Sequence, residues 1–243
     1  MSAPARSDPL PRMLIALTAV TGIVDAVAFL GLGQVFTAFM TGNILFLGFA
    51  VAGGVGLTPL GSLTALAGFA AGAVAGSRLG AVTAARLRRW LLTSAAIASA
   101  LLVAAALAAI GLDSVRGDLA PRHYAVIALT ALAMGVRSAT MWRLGAGLNT
   151  TLVTGTLVTL VRHSELGGAS CWGGGGATRH GTPDTSQPYR AAALVAVFAG
   201  AAVGTLLLLR AGLTVALLVA AAGVLGGIGG CVAHPASGRA HNA

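Results

Sequence analysis

Lysine is absent from this chain, and six acidic residues stand against fifteen arginines. Charged residues make up 9% of the 243 positions and aromatics 5%. A soluble domain carries about 25% charge, so too little polar surface is present to cover a water-soluble globule. A 56% apolar composition excludes a disordered chain, which cannot bury enough apolar surface to order itself. Two cysteines, Cys171 and Cys231, cannot build a disulfide framework, and neither belongs to a Cys-x-x-Cys motif. Also missing are His-Glu-x-x-His, Gly-x-Ser-x-Gly and a Walker sequence. His163, Cys171 and His180 have spacings that match no standard metal site. No catalytic group, metal site or cofactor is expected, and an intramembrane enzyme is the weakest of three readings.

What is present is hydrophobic length. Mean hydropathy is +0.88. Apolar segments occupy 13–33, 35–56, 59–77, 90–111, 123–142, 148–161, 191–209 and 212–232. Each is expected to be helical, because backbone groups in lipid must satisfy one another. The first, Met13 to Gly33, is too long for a signal-peptide core and reads as a retained span. Two segments are doubtful as full spans. Segment 35–56 breaks at Thr41-Gly42-Asn43 and again at Gly53-Gly54, and 148–161 falls short of the roughly 17 residues a crossing needs.

The arginines choose between topologies. The net charge of +9 is spread between apolar runs, so it marks orientation in a membrane rather than a nucleic-acid surface. With eight crossings, eight arginines fall inside and six outside, and Arg137 stays in the membrane. With six crossings and two segments that enter and return on one side, eleven fall inside and three outside. Cytoplasmic loops concentrate arginine. The expected fold is therefore an all-α polytopic bundle of six spanning helices plus two re-entrant or broken ones, with eight spans as the alternative. Both termini are then cytoplasmic. The divisions are a tail at 1–12, a first membrane repeat at 13–111, an external linker at 112–122, a second repeat at 123–232 and a tail at 233–243. Within the second repeat, 163–190 reads as a flexible cytoplasmic loop. Its Gly173 to Gly176 run lacks the strand and Lys-Ser of a phosphate-binding loop.

A shift of 113 residues aligns Gly22-Ile23-Val24-Asp25-Ala26, Thr37 and Met40-Thr41-Gly42-Asn43 with Gly135-Val136-Arg137-Ser138-Ala139, Thr150 and Val153-Thr154-Gly155-Thr156. Five of 22 positions are identical. In the six-span topology the two copies enter from opposite sides, as inverted repeats. Paired interrupted helices in such repeats can form a midplane substrate site. The candidate pathway residues are Asp25, Thr41, Gly42, Asn43, Arg137, Ser138, Thr154, Gly155 and Thr156. Asp25 and Arg137 lie deep in their segments, where a charge is expensive unless paired or wet. Asp25 reads either as a proton, cation or substrate site or as a structural carboxylate bonded to a neighbour. Arg137 reads as its partner or as a side chain snorkelling to the cytoplasmic face. Gly68, Gly72 and Gly76 form a small-residue stripe that suits close helix packing, as do Gly200/Gly204 and Gly223/Gly227. The expected surroundings are the lipid bilayer and an unknown small solute or ion, with a second copy of the chain as an alternative partner for the glycine stripes. No nucleic-acid partner is expected.

The stretch Val20 to Leu30, with Phe36 to Leu47 and its Met40-Thr41-Gly42-Asn43, resembles the YoaK-like family of bacterial membrane proteins. Ala133-Met134-Gly135, Arg143-Leu144-Gly145 and Asn149 to Leu157, with Thr154-Gly155-Thr156, agree with it. The resemblance spans roughly 13–232. It implies a multi-pass inner-membrane protein carrying a domain of unknown function and supplies no substrate. The family pattern usually has Gln-Asn where this chain has Arg137-Ser138, so an Asp25–Arg137 pair cannot be a general family mechanism. A small permease or channel-like transporter is the leading functional expectation. An assembly factor, sensor or scaffold is its rival.

Overall fold

The computed structural model describes residues 9–54, 59–83, 87–112, 119–143 and 187–233. They form α1 (Pro9–Gly31), α2 (Met40–Val51), α3 (Pro59–Thr83), α4 (Leu87–Ala108), α5 (Pro121–Arg143) and α6 (Gln187–Ala233), with no strand among the described residues. Proline opens α1, α3 and α5 and is the second residue of α6. Its fixed φ suits a first helical turn, where its missing N–H has no partner to lose. The C-terminus of α4 is closed from outside: Arg122 donates through Nη2 to the carbonyl oxygens of Ala108 (3.0 Å) and Ile110 (2.9 Å). A cation there also complements the helix dipole.

Five helices contain apolar stretches long enough to cross a membrane. Their outward faces carry large apolar side chains, including Phe198 (77% exposed) and Leu209 (73%). Such a surface needs hydrocarbon around it rather than water. The chain is a membrane protein. The apolar stretches of α1 and α5 are mostly buried (67% and 61%), against 28% for α3 and 22% for α6. So α1 and α5 form the interior, and the others wrap them. The core includes Leu17, Val24 and Val27 of α1, Leu102 of α4, Ile127 and Met134 of α5, and Leu217, Val224 and Ile228 of α6.

Segments 191–209 and 212–232 belong to one 47-residue element that is interrupted at Gly212 (φ 82°, ψ 176°). The neighbours of α1 show what the interruption does. Gly200 lies against Ala19 and Gly204 against Ile23, so the first arm ascends with α1. Gly31 meets both Leu208 and Leu213; beyond the turn, Gly223 meets Val20 and Gly227 meets Leu17, so the second arm descends. The positive φ at Gly212 reverses the chain at a position where L side chains are strained. Each arm has about 20 residues, close to the ~30 Å of a bilayer core.

Three sequence expectations change. The polar tail ends sooner, because α1 begins at Pro9 and takes in Arg12. Loop 163–190 gives up its last four residues to α6. Segment 35–56 does not break at Thr41-Gly42-Asn43; these residues sit in the first turn of α2. The break lies upstream at 32–39, where Gly33 (φ 83°) and Gln34 (φ 61°) turn the chain after α1. The second break is where the spacing puts it: α2 ends at Val51, and Gly53 (φ 88°) closes it with the Gly54 amide donating to Phe49 O (2.8 Å). Segment 148–161 lies outside the described residues.

Candidate functional site

Asp25 is two turns from the end of α1 and 3% exposed. The turn at Gly33-Gln34 brings residues 36–39 back alongside it. Its Oδ1 accepts from the Thr37 amide (2.8 Å), the Thr37 hydroxyl (3.1 Å) and the Ala38 amide (2.8 Å), and Oδ2 accepts from the Phe39 amide (3.0 Å). Those amides lead directly into α2, whose first N–H groups have no intrahelical acceptors. A carboxylate at this position satisfies the amides of residues 37–39, just ahead of that first turn, and faces the positive end of the helix dipole. Asp25 is thus the anchor of a short helix that starts inside the protein, beside α1 and two turns before its end.

Asn43 completes the anchor. Its Oδ1 accepts from the Phe36 amide (2.9 Å) and its Nδ2 donates to the Phe36 carbonyl (2.6 Å), as a paired strand residue would. It is fully buried. Gly42 lies beneath the Phe36 ring, where a Cβ would collide with the ring carbons. Phe36 stacks on Phe29 (centroids 5.0 Å apart) and on Phe46 (5.9 Å), with Phe39 edge-on (6.1 Å) and Phe49 next to Phe46 (6.5 Å). Five of the seven phenylalanines in the chain therefore surround this one turn. Sequence reasoning missed that cluster. Its signal was available in the spacing of Phe29, Phe36, Phe39, Phe46 and Phe49 on either side of a Gly pair. Thr41 is exposed on the outside of the first turn.

Arg137 is 5% exposed and does not snorkel. It reaches from α5 to α1, where Nη1 donates to the Leu17 carbonyl (2.7 Å) and Nη2 to the Thr21 hydroxyl. Thr21 in turn donates to Leu17 O (3.0 Å). Leu17, Thr21 and Asp25 follow one another at four-residue intervals, so the guanidinium binds the stripe of α1 that ends at Asp25. The two charges form no ion pair. The Asp25 oxygens are occupied by residues 37–39, while the arginine donates to acceptors one and two turns away, on Thr21 and Leu17. The expected Asp25–Arg137 contact is therefore replaced by a strap between helices, and the Arg137 Nε has no partner. Removing a buried cation relieves its desolvation as its bonds are lost. Arg137→Gln is accordingly expected to change stability by no more than about 1 kcal/mol. Thermal unfolding in detergent checks this, and a loss above roughly 3 kcal/mol would instead indicate a working ion pair with Asp25.

Ser138 is half-buried on α5. Thr154, Gly155 and Thr156 lie outside the described residues. The Gly68-Gly72-Gly76 stripe faces α5 within the same chain. A Cβ at Gly68 or Gly76 would lie 2.9 Å from Ala128 O or 2.8 Å from Val136 O, and one at Gly72 would meet Leu132 O. The other face of the contact is Gly135, where a Cβ would strike Phe69 O and the Ala73 nitrogen. The α1–α6 contact has the same composition. A Cβ at Gly22 would strike Val197 O and the Ala201 nitrogen, while Gly200 abuts Ala19 and Gly204 abuts Ile23. Adding 113 to the α1 residues gives those of α5, and adding 128 to the α3 residues gives those of α6. In addition, Gly33 at the end of α1 touches Leu119 at the entry to α5, so α1 finishes where α5 starts. No group of three or more metal-ligating side chains occurs among the described residues.

No solved structure matches the chain. Over 149 residues it is 37% identical to the UPF0700 transmembrane protein YoaK of Bacillus subtilis (strain 168), a match covering 61% of this chain and 63% of that protein's length. A family model described as "Protein of unknown function (DUF1275)" matches residues 13–229. With almost the whole helical region inside that match, the chain belongs to the DUF1275 family.

Proposed function

We propose that this protein is a small permease or channel-like transporter of the bacterial inner membrane. It crosses six times, has both termini in the cytoplasm and is built from two inverted repeats that exchange their third helices. The observation carrying this reading is α2, a half-length helix that begins inside the protein, beside α1 two turns before its end, and is held there by Asp25. Broken helices with termini near the midplane are the usual lining of sites in inverted-repeat transporters. Support for the repeat comes from the two glycine contacts with matching residue shifts and from the opposed directions of α1 and α5. The excess of arginine on the inner side supports the orientation. Asp25 acts here as a positioning residue, and the solute passes the outer face of the α2 turn, at Thr41, and its counterpart at Thr154-Gly155-Thr156. The activity is transport rather than catalysis.

The test is thiol accessibility in a chain whose Cys171 and Cys231 are replaced by serine. Thr41→Cys and Thr156→Cys are expected to react with a membrane-impermeant reagent from opposite sides, and reconstituted protein is expected to pass protons or small ions faster than empty vesicles. If both cysteines stay sealed from either side, transport is excluded. One observation favours the rival, a non-transporting assembly, sensor or scaffold protein: every hydrogen bond of Asp25 is internal, as packing alone would require.

A further inference from the structure

Asp25 is the one acidic side chain among the described residues, and Asp25 and Arg137 are the charged groups buried among them. Each is costly to hold inside a membrane. Their charges are compensated unequally. The Asp25 oxygens accept four hydrogen bonds, three of them from the amides that lead into α2. They also face the positive end of that helix, worth about half a unit charge. Arg137 has no such counterweight. Its two acceptors, the Leu17 carbonyl (2.7 Å) and the Thr21 hydroxyl, are both neutral, and its Nε has no partner.

A strap between α5 and α1 needs donors but no charge. The guanidinium is also held still, because the Thr21 hydroxyl that accepts from it donates to the same Leu17 oxygen (3.0 Å). Leu17 and Thr21 lie two turns and one turn from Asp25, toward the start of α1. The positive charge and the anchored carboxylate therefore occupy successive levels of the bundle. The shift of 113 residues that relates the two halves puts Ser138 at the Asp25 position. The second half thus has no carboxylate at that place, and a fixed cation stands next to it. A charge in the low-dielectric interior acts over several ångströms and is screened little by salt.

We propose that Arg137 sets the charge selectivity of the pathway, so that the solute is a small monovalent anion and cations are held back. The inference rests on the transport reading and supplies its substrate class. No contact with the guanidinium is required, because the fixed charge acts through its field. A solute following the route past Thr41 meets the level of Asp25 and then that of Arg137. At the first, the negative charge is already offset by four donors and the α2 dipole. At the second, only neutral oxygens face the positive charge, so a cation meets its barrier there and an anion does not. Over about 10 Å, at an effective dielectric of about 20, one unit charge changes the passage of a monovalent ion roughly tenfold. An arginine that bars cations and protons is a known device in membrane pores.

Uptake of tracer chloride and tracer rubidium by the full chain, reconstituted in phosphatidylcholine vesicles, tests it. Wild type is expected to pass chloride about tenfold faster than rubidium. Arg137→Gln removes the charge and is expected to lower that ratio about tenfold, while Arg137→Lys keeps the charge and a ratio near wild type. The wild-type preference is also expected to persist at about 1 M salt, where the field of exposed arginines is screened within a few ångströms. A preference for rubidium overturns the proposal, as does an unchanged ratio in Arg137→Gln, and the transport reading survives both results. A preference that disappears at high salt overturns it too and assigns the selectivity to surface arginines. If wild type passes neither ion faster than empty vesicles, the proposal also fails, and the accessibility of Thr41→Cys and Thr156→Cys then decides whether the transport reading fails with it. Should Arg137→Gln fail to assemble, Arg137→Lys and the salt series decide: a lysine variant without the chloride preference overturns the proposal.

Discussion

Asp25→Ala is expected to abolish the assembled protein, while Asp25→Asn assembles with a clearly lowered melting temperature. Alanine removes the acceptor of four hydrogen bonds and leaves three backbone amides and the Thr37 hydroxyl without their partner, next to a buried turn. An unsatisfied buried donor costs about 1–3 kcal/mol, and donors cannot recover water at this depth. Even if the costs add poorly, the total reaches roughly 4 kcal/mol or more, a large part of the stability of most proteins. Asparagine can keep its carbonyl oxygen where Oδ1 is and so retain three bonds, but its NH2 then faces the Phe39 N–H. Size-exclusion profiles and thermal unfolding of the detergent-solubilised chain measure both. An Asp25→Ala variant melting within a few degrees of wild type would falsify the anchoring role. A companion Asn43→Ala variant is expected to lie between the two, because it loses the paired bonds to Phe36 and leaves the carboxylate in place.

Gly22→Val and Gly135→Val are expected to destabilise the chain by similar amounts, each about 3 kcal/mol or more. Overpacking a core typically costs about 1–3 kcal/mol, and here the obstacle is backbone, which cannot swing aside as a side chain can. The two positions face equivalent atoms: Val197 O and the Ala201 nitrogen for Gly22, Phe69 O and the Ala73 nitrogen for Gly135. Gly226 provides the control, since a Cβ there meets nothing within 4 Å. Gly226→Ala is expected to be neutral or slightly stabilising, because alanine is a better helix former than glycine. If Gly135→Val proves as mild as Gly226→Ala, the two helix pairs are not equivalent and the repeat loses its main support.

The residues show why part of this was readable in one dimension and part was not. Apolar runs of about 20 residues dictate helices because lipid offers no hydrogen-bond partner to a free backbone. That single constraint acts locally, so the positions of α1, α3, α4, α5 and both arms of α6 follow from the chain within a few residues. Gly53 ended α2 where its spacing indicated, since a positive φ is also a local property. The glycine stripes announced close packing, and Asp25 and Arg137 announced buried polar chemistry by their depth alone.

Partnership is not local, and the structure alone decided it. The Asp25 carboxylate binds residues 37–39 because the turn at Gly33-Gln34 folds that segment back, a geometry no periodicity encodes. Arg137 bonds to α1 from 116 to 120 residues away, and so the expected ion pair gives way to a strap. The Gly68-Gly72-Gly76 stripe could have met any small-residue face, and only the packed bundle pairs it with α5. Composition and hydropathy determine that this chain lives in a membrane as a set of helices, because solvation acts on each segment separately. Which helix holds which, and therefore what each buried charge does, depends on contacts between distant segments. Those exist only once the bundle has closed.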